Sequence, residues 1–286
     1  MDRASLKGAV PLALLLVAGA AQAGGDMGHA AASLQAETVA ASGVVAEDRA
    51  ALAQAILDGA DVVQVRAMIR RGADVNAADA QGQVPLLAAI ARNNVEIAQL
   101  LLERGATVAP ATAGGMPPLA AAAIVGRPEM VQLLLDHGAD VNARPANGLT
   151  PLAIACMSAQ QGVMPHFSAT LSERTEVVAM LLDHGADPNV RSPDGLTLLM
   201  HMAVDGPAQL IALLLERGAG ANETGPGDVT ALMLAAQNGN VDAVRLLLKH
   251  GANRAMKDSA GHTALDRAKA AGQKPAVMLL QGRRRR

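Results

Sequence analysis

A Gly-Ala dipeptide closes an apolar run, leucine-rich in five of six cases, at Gly72, Gly105, Gly138, Gly185, Gly218 and Gly251. The intervals are 33, 33, 47, 33 and 33 residues. Twelve residues after each glycine stands a second landmark: Val84, Pro117, Thr150, Thr197, Thr230 and Thr263. An offset kept six times constrains the fold more tightly than any local propensity. A period of this length marks a small supersecondary unit that cannot bury its apolar face alone, so successive units stack into one continuous core.

Each unit reads as two short helices. The first opens at the threonine or its substitute and is rich in small residues. The second, as in residues 95–104 (VEIAQLLLER) and 241–250 (VDAVRLLLKH), carries apolar side chains at helical spacing. Asn94 and Asn240 stand where N-caps belong, and Pro128 and Pro207 suit a first helical turn. The repeat glycine then supplies the left-handed turn that ends the second helix. Composition agrees: 51% of residues are hydrophobic, yet Phe167 is the sole aromatic. Alanine, leucine, valine and methionine suit closely packed short helices and are poor material for a β-sandwich.

The segments VPLLAAI, PPLAAAA, TPLAIAC, TLLMHMA, TALMLAA and TALDRAK at the second landmark, with HGADVNA at 137–143 and HGADPNV at 184–190, closely resemble the ankyrin repeat. The resemblance covers roughly residues 48–282. It implies an all-α solenoid of about six or seven stacked helix-turn-helix repeats carrying short β-hairpin fingers. Residues 48–78 look like an N-terminal unit without its finger, and 256–282 like a C-terminal cap in which Asp266, Arg267 and Lys269 replace apolar or small positions. Two departures stand out. The family's TPLH histidine is replaced throughout, by Leu87, Ala120, Ala153, Met200, Met233 and Asp266, which predicts looser coupling between repeats. Asp228 stands where a finger glycine is expected.

The N-terminus reads as a secretory signal. Arg3 and Lys7 precede an apolar stretch at residues 9–18, and Ala21-Gln22-Ala23 places small residues at the two positions a signal peptidase reads. The stretch is short for a bilayer span, which needs about 20 residues. Residues 1–23 are therefore expected to be a signal peptide cleaved after Ala23, giving a periplasmic or secreted protein without stable membrane insertion. Residues 24–47 read as a linker or arm. With Cys156 as the lone cysteine no intramolecular disulfide is possible. The fold must rest on apolar packing.

Motifs for catalysis are missing: there is no GxxxxGK[ST], GxSxG or HExxH. Four of the seven histidines, His137, His184, His250 and His262, fall at repeat positions rather than in a cluster at metal spacing, and no cofactor is expected. The formal charge of -2 gives no sign of the concentrated basic face usual in nucleic-acid binders. A non-enzymatic module binding another protein, itself a monomer, is the reading; a small-ligand or metal-handling accessory protein using the insertion or N-terminal arm is the alternative.

The resemblance implies a partner surface on the concave side, through finger tips and inner-helix edges. Carried over by register, the residue after each finger glycine position gives an apolar ridge of Met116, Leu149, Leu196 and Val229. Inner-helix edges add Ile124, Val125, Met157 and Val204, and Arg144 and Arg191 sit at equivalent finger positions. The 47-residue interval holds 14 extra residues, placed by register around 158–172. Phe167 lies there and has two readings, a binding anchor or a local plug. The run Arg283–Arg286 is a basic tail.

Overall fold

In the computed structural model, residues 51–79, 82–109, 115–145, 148–161 and 169–282 are described. Fourteen α-helices lie in them, with one 3-10 turn at Pro226–Asp228. The first, α1, is described over residues 51–57. There follow α2 (Val62–Arg70), α3 (Pro85–Ala91), α4 (Val95–Glu103), α5 (Pro118–Val125), α6 (Pro128–Asp136) and α7 (Pro151–Gln161). The rest are α8 (Leu171–Asp183), α9 (Leu198–Asp205), α10 (Ala208–Glu216), α11 (Ala231–Asn238), α12 (Val241–Lys249), α13 (Ala264–Ala270) and α14 (Lys274–Leu280). Among the described residues the expected finger hairpins are reduced to two isolated antiparallel bridges, Arg191 with Thr197 and Thr224 with Thr230. None of the described helices is long and apolar enough to cross a membrane.

The chain divides into two compact units, one of residues 1–125 and 129–140, the other of 126–128 and 141–286. In the first, inner helix α3 packs on α5 and outer helix α2 on α4. In the second, the inner helices stack in the order α7, α9, α11, α13 and the outer ones in the order α8, α10, α12, α14. Alanines on inner helices α11 and α13 let neighbours approach closely; Ala235, Ala236 and Ala268 are fully buried. Leucines of the outer helices, such as Leu181, Leu214 and Leu247, fill the space between layers and are likewise 0% exposed.

Caps explain where the helices start. Thr150, Thr197, Thr230 and Thr263 each accept a bond from the backbone N–H three residues on, at 3.2–3.3 Å. Val84 opens α3 with no side-chain acceptor. Asn94 and Asn240 cap α4 and α12 as their positions predict. The six repeat glycines adopt φ between 80° and 99°, and a Cβ on any of them would meet nothing within 4 Å. They are glycine for backbone conformation, not for close packing.

Asparagine side chains join one repeat to the next. Asn142 donates to the Gly185 carbonyl at 3.0 Å, Asn189 to Gly218 at 3.2 Å and Asn222 to Gly251 at 3.0 Å. Each of these side chains also accepts a backbone N–H of the next repeat, from Asp187, Gly220 and Asn253. In the first unit Asn76 does the same with Gly105 and Thr107. This asparagine ladder links successive repeats, each amide both donating to and accepting from the backbone of the next.

The long interval is partly helical. Helix α7 runs to Gln161, 11 residues, and α8 has 13, against seven to nine elsewhere among the helices with both ends described. Residues 158–161 and 171–172 of the expected insertion therefore belong to helices. Thr170 and Glu173 form a capping box at the start of α8, and Glu173 also pairs with Arg127. The Thr170 backbone N–H, first among several donors, holds the Glu173 carboxyl below its ordinary range.

Candidate partner-binding surface

The fingers of the second unit are built one way. Ser192 donates its N–H to the Leu196 carbonyl at 3.0 Å, Gly225 to Val229 at 2.8 Å and Asp258 to His262 at 3.0 Å. Each bond closes a tight loop whose tip needs a left-handed residue: Gly195 at φ 81°, Asp228 at φ 57° and Gly261 at φ 82°. Successive tips touch. A Cβ on Gly195 would come within 3.1 Å of Pro226 Cγ, and Ser259 N–H donates to the Gly227 carbonyl at 2.9 Å. The tips thus form a continuous edge beside the inner helices.

The apolar ridge expected along this edge is not a surface. Leu149 and Leu196 are 7% and 8% exposed, and Leu196 Cδ2 lies 2.8 Å from where a Gly225 Cβ would stand. Leu196, after the finger glycine, packs against the next finger. Ile124, Val125 and Met157 are buried as well, so these inner-helix edge positions are core. Met116, Val204 and Val229 are half-buried, and Arg144 and Arg191 are exposed. Phe167 and Gly162–Ser168 as a whole lie outside the described residues. Large hydrophobics exposed among the described residues are Val63, Leu171 and Met278, none on a finger.

What the edge presents is polar. Arg191 donates to the carbonyls of Gly195 (3.0 Å) and Thr224 (2.9 Å) and pairs with Glu223 at 2.8 Å, tying one finger to the next. Arg144 occupies the equivalent position, but Val190 stands where Glu223 does, so it lacks that acid. Ser192 Oγ lies 2.7 Å from His201 Nε2 and donates to Asp194, whose Oδ1 is 3.5 Å from the same nitrogen. A hydroxyl and a carboxylate on one ring nitrogen do not form a nucleophile–base–acid relay, in which they occupy opposite nitrogens. The trio clamps the finger to α9. Sequence reasoning passed over it because His201 stands one residue beyond the motif's histidine position; its nine-residue spacing from Ser192 was the available sign.

Cys156 is fully buried on α7, and desolvation pushes its thiol up to about 12. The thiol stays protonated and serves packing. Among the described residues no three of His, Cys, Asp and Glu are grouped to hold a metal ion.

The comparisons fit this geometry. The profile described as Ankyrin repeats (3 copies) matches residues 109–192, 166–253 and 199–284, and that described as Ankyrin repeats (many copies) matches 55–102. The chain belongs to the ankyrin-repeat family. Among solved structures it is similar to the ankyrin repeat domain of Bcl-3, described as a unique member of the IkappaB protein family. That match has a TM-score of 0.68 and 25% identity, and covers 81% of this chain and 97% of the other. A search of curated proteins gave no significant match. An ankyrin-repeat array is a protein-interaction module, and this one is built as such.

Proposed function

We propose that the protein is a non-enzymatic scaffold, adaptor or inhibitor that binds its partner through the finger tips and inner-helix edge of the second unit, after export to the periplasm. The observation that carries the reading is the continuous edge of stacked tips from Ser192 to His262, which offers Arg191, Asp194, Glu223 and Asp228 in exposed positions. Half-buried Val204 and Val229 supply the little apolar area there. A surface of this kind binds by polar complementarity, with moderate affinity and marked sensitivity to salt. Export rests on the N-terminal sequence alone.

Pull-down from periplasmic extract tests the reading. Wild-type protein should retain a specific partner that an Arg191→Glu/Asp194→Lys variant with unchanged helical circular dichroism loses. Equal capture by the variant, or recovery of bound metal and no protein, would turn the assignment toward the insertion or the N-terminal arm.

A further inference from the structure

The near-neutral total charge conceals a strong segregation. Residues 241–286 hold 11 of the chain's 24 lysines and arginines but three of its 26 acids, a local charge of +8 against -10 for the 240 residues before them. The three acids are already engaged. Asp258 is buried against Arg267, Asp242 pairs with Arg245 at 3.1 Å, and Asp266 accepts from both the N–H and the hydroxyl of Thr263. Lys249, Arg254, Lys257, Lys269 and Lys274 are exposed, and none is ion-paired to a described residue.

Part of this charge converges on one corner of the second unit. Helices α12 and α14 pack side by side. Arg245 and Lys249, four residues apart, share a face of α12 toward its C-terminal end. Arg254 reaches across to the end of α14, with Nη1 3.4 Å from the Leu280 carbonyl and 3.4 Å from the Cβ position of Gly282. Gly282 immediately precedes Arg283–Arg286 in the sequence. On α14 itself Met278 is 42% exposed, one of three large hydrophobics exposed among the described residues.

We propose that this corner attaches the protein to an anionic phospholipid surface. Clustered cations gain from the negative potential of such a surface without demanding a shaped partner, and exposed Met278, four residues after Lys274 on the same helix, can enter the headgroup layer. Single-stranded nucleic acid fits less well, because residues 241–286 contain no Phe, Tyr or Trp on which bases could stack. Surface attachment leaves the finger edge of the same unit available for its partner and is independent of what that partner is.

Co-sedimentation of the full chain with vesicles of phosphatidylcholine, with and without about a third phosphatidylglycerol, decides the matter. The protein should pellet with the anionic vesicles and not the neutral ones, and be released in about 0.5 M salt. An Arg245→Gln/Lys249→Gln/Arg254→Gln variant with unchanged melting should bind roughly 100-fold more weakly. Removing three charges elsewhere, by Arg66→Gln/Arg70→Gln/Arg71→Gln on and beside α2, should leave binding unchanged. Equal partition onto neutral vesicles, equal weakening by the two triple variants, or tight binding to duplex DNA without vesicle binding would each overturn the proposal.

Discussion

Arg267 grips Asp258 with two nitrogens, Nε at 2.8 Å and Nη2 at 2.7 Å, on the one oxygen Oδ2, and its Nη1 donates to Gln237 at 2.7 Å. A polar residue in the terminal repeat thus ties the last inner helix to its own finger and to the helix before it. The His262 backbone N–H, first, and then the Arg267 guanidinium hold the Asp258 carboxyl below its ordinary range, against the opposing effect of burial. A carboxyl depressed in the folded state adds stability above its unfolded pKa of about 3.9, and that stability is lost as pH falls through the lower folded value. Thermal melts of the wild type should therefore decline below about pH 4, while Asp258→Asn should be less stable at neutral pH and show a flatter acid limb. An unchanged acid limb in that variant would place the acid sensitivity elsewhere.

The asparagine ladder has a gap. Ala109 stands where Asn76, Asn142, Asn189 and Asn222 stand in their repeats. The backbone is already shaped for the missing rung: Ala109 N–H donates to Thr107 Oγ1 at 3.1 Å, as Asn76 N–H does to Asp74 and Asn189 N–H to Asp187. Ala109→Asn should let the amide reach the Gly138 carbonyl and stabilise the first unit by about 0.5–1.5 kcal/mol. Urea denaturation would detect this as a higher midpoint at unchanged slope. A lower midpoint would mean that the finger at this repeat diverges from the others.

How far the sequence carried the structure depends on what each residue had to satisfy. The repeat glycines and threonine caps were legible because one backbone conformation or one orphan N–H dictates them. The inward turn of Leu149 and Leu196 was not, since register alone does not say on which side of a tight finger a leucine packs. Packing against the next finger, as Leu196 does at Gly225, is a tertiary matter. Arg267 and Asp258 were missed for the same reason: reading Arg267 as a polar cap position overlooked a buried acid nine positions away.

Asp228 holds a left-handed conformation, φ 57°, where the other described tips of this unit use glycine. A side chain in that region is strained, while glycine enters it freely but loses more entropy on folding. The first effect is the larger, so Asp228→Gly should raise stability by up to about 1 kcal/mol and Asp228→Ala should lower it. Paired chemical denaturation of the two variants reads the difference. Equal effects of glycine and alanine would mean the strain is relieved by something other than the tip conformation.

The outer-helix leucines should dominate stability. Leu181 is 0% exposed, and Leu181→Ala should cost about 2–5 kcal/mol. Cys156→Ser, which keeps its volume but buries a hydroxyl on α7, should cost less, about 1–3 kcal/mol. Denaturation midpoints in the reverse order would show the inner layer to be the more tightly packed one.

Hydrogen–deuterium exchange on the complex with the captured partner tests the proposed binding edge most directly. Protection should appear at 191–196, 224–229 and 258–262, together with the half-buried end of α9 around Val204, and should be absent from outer helices α10 and α12. Protection confined to the outer helices, or to residues 162–168, with the finger tips exchanging as in the free protein, would contradict binding through the fingers.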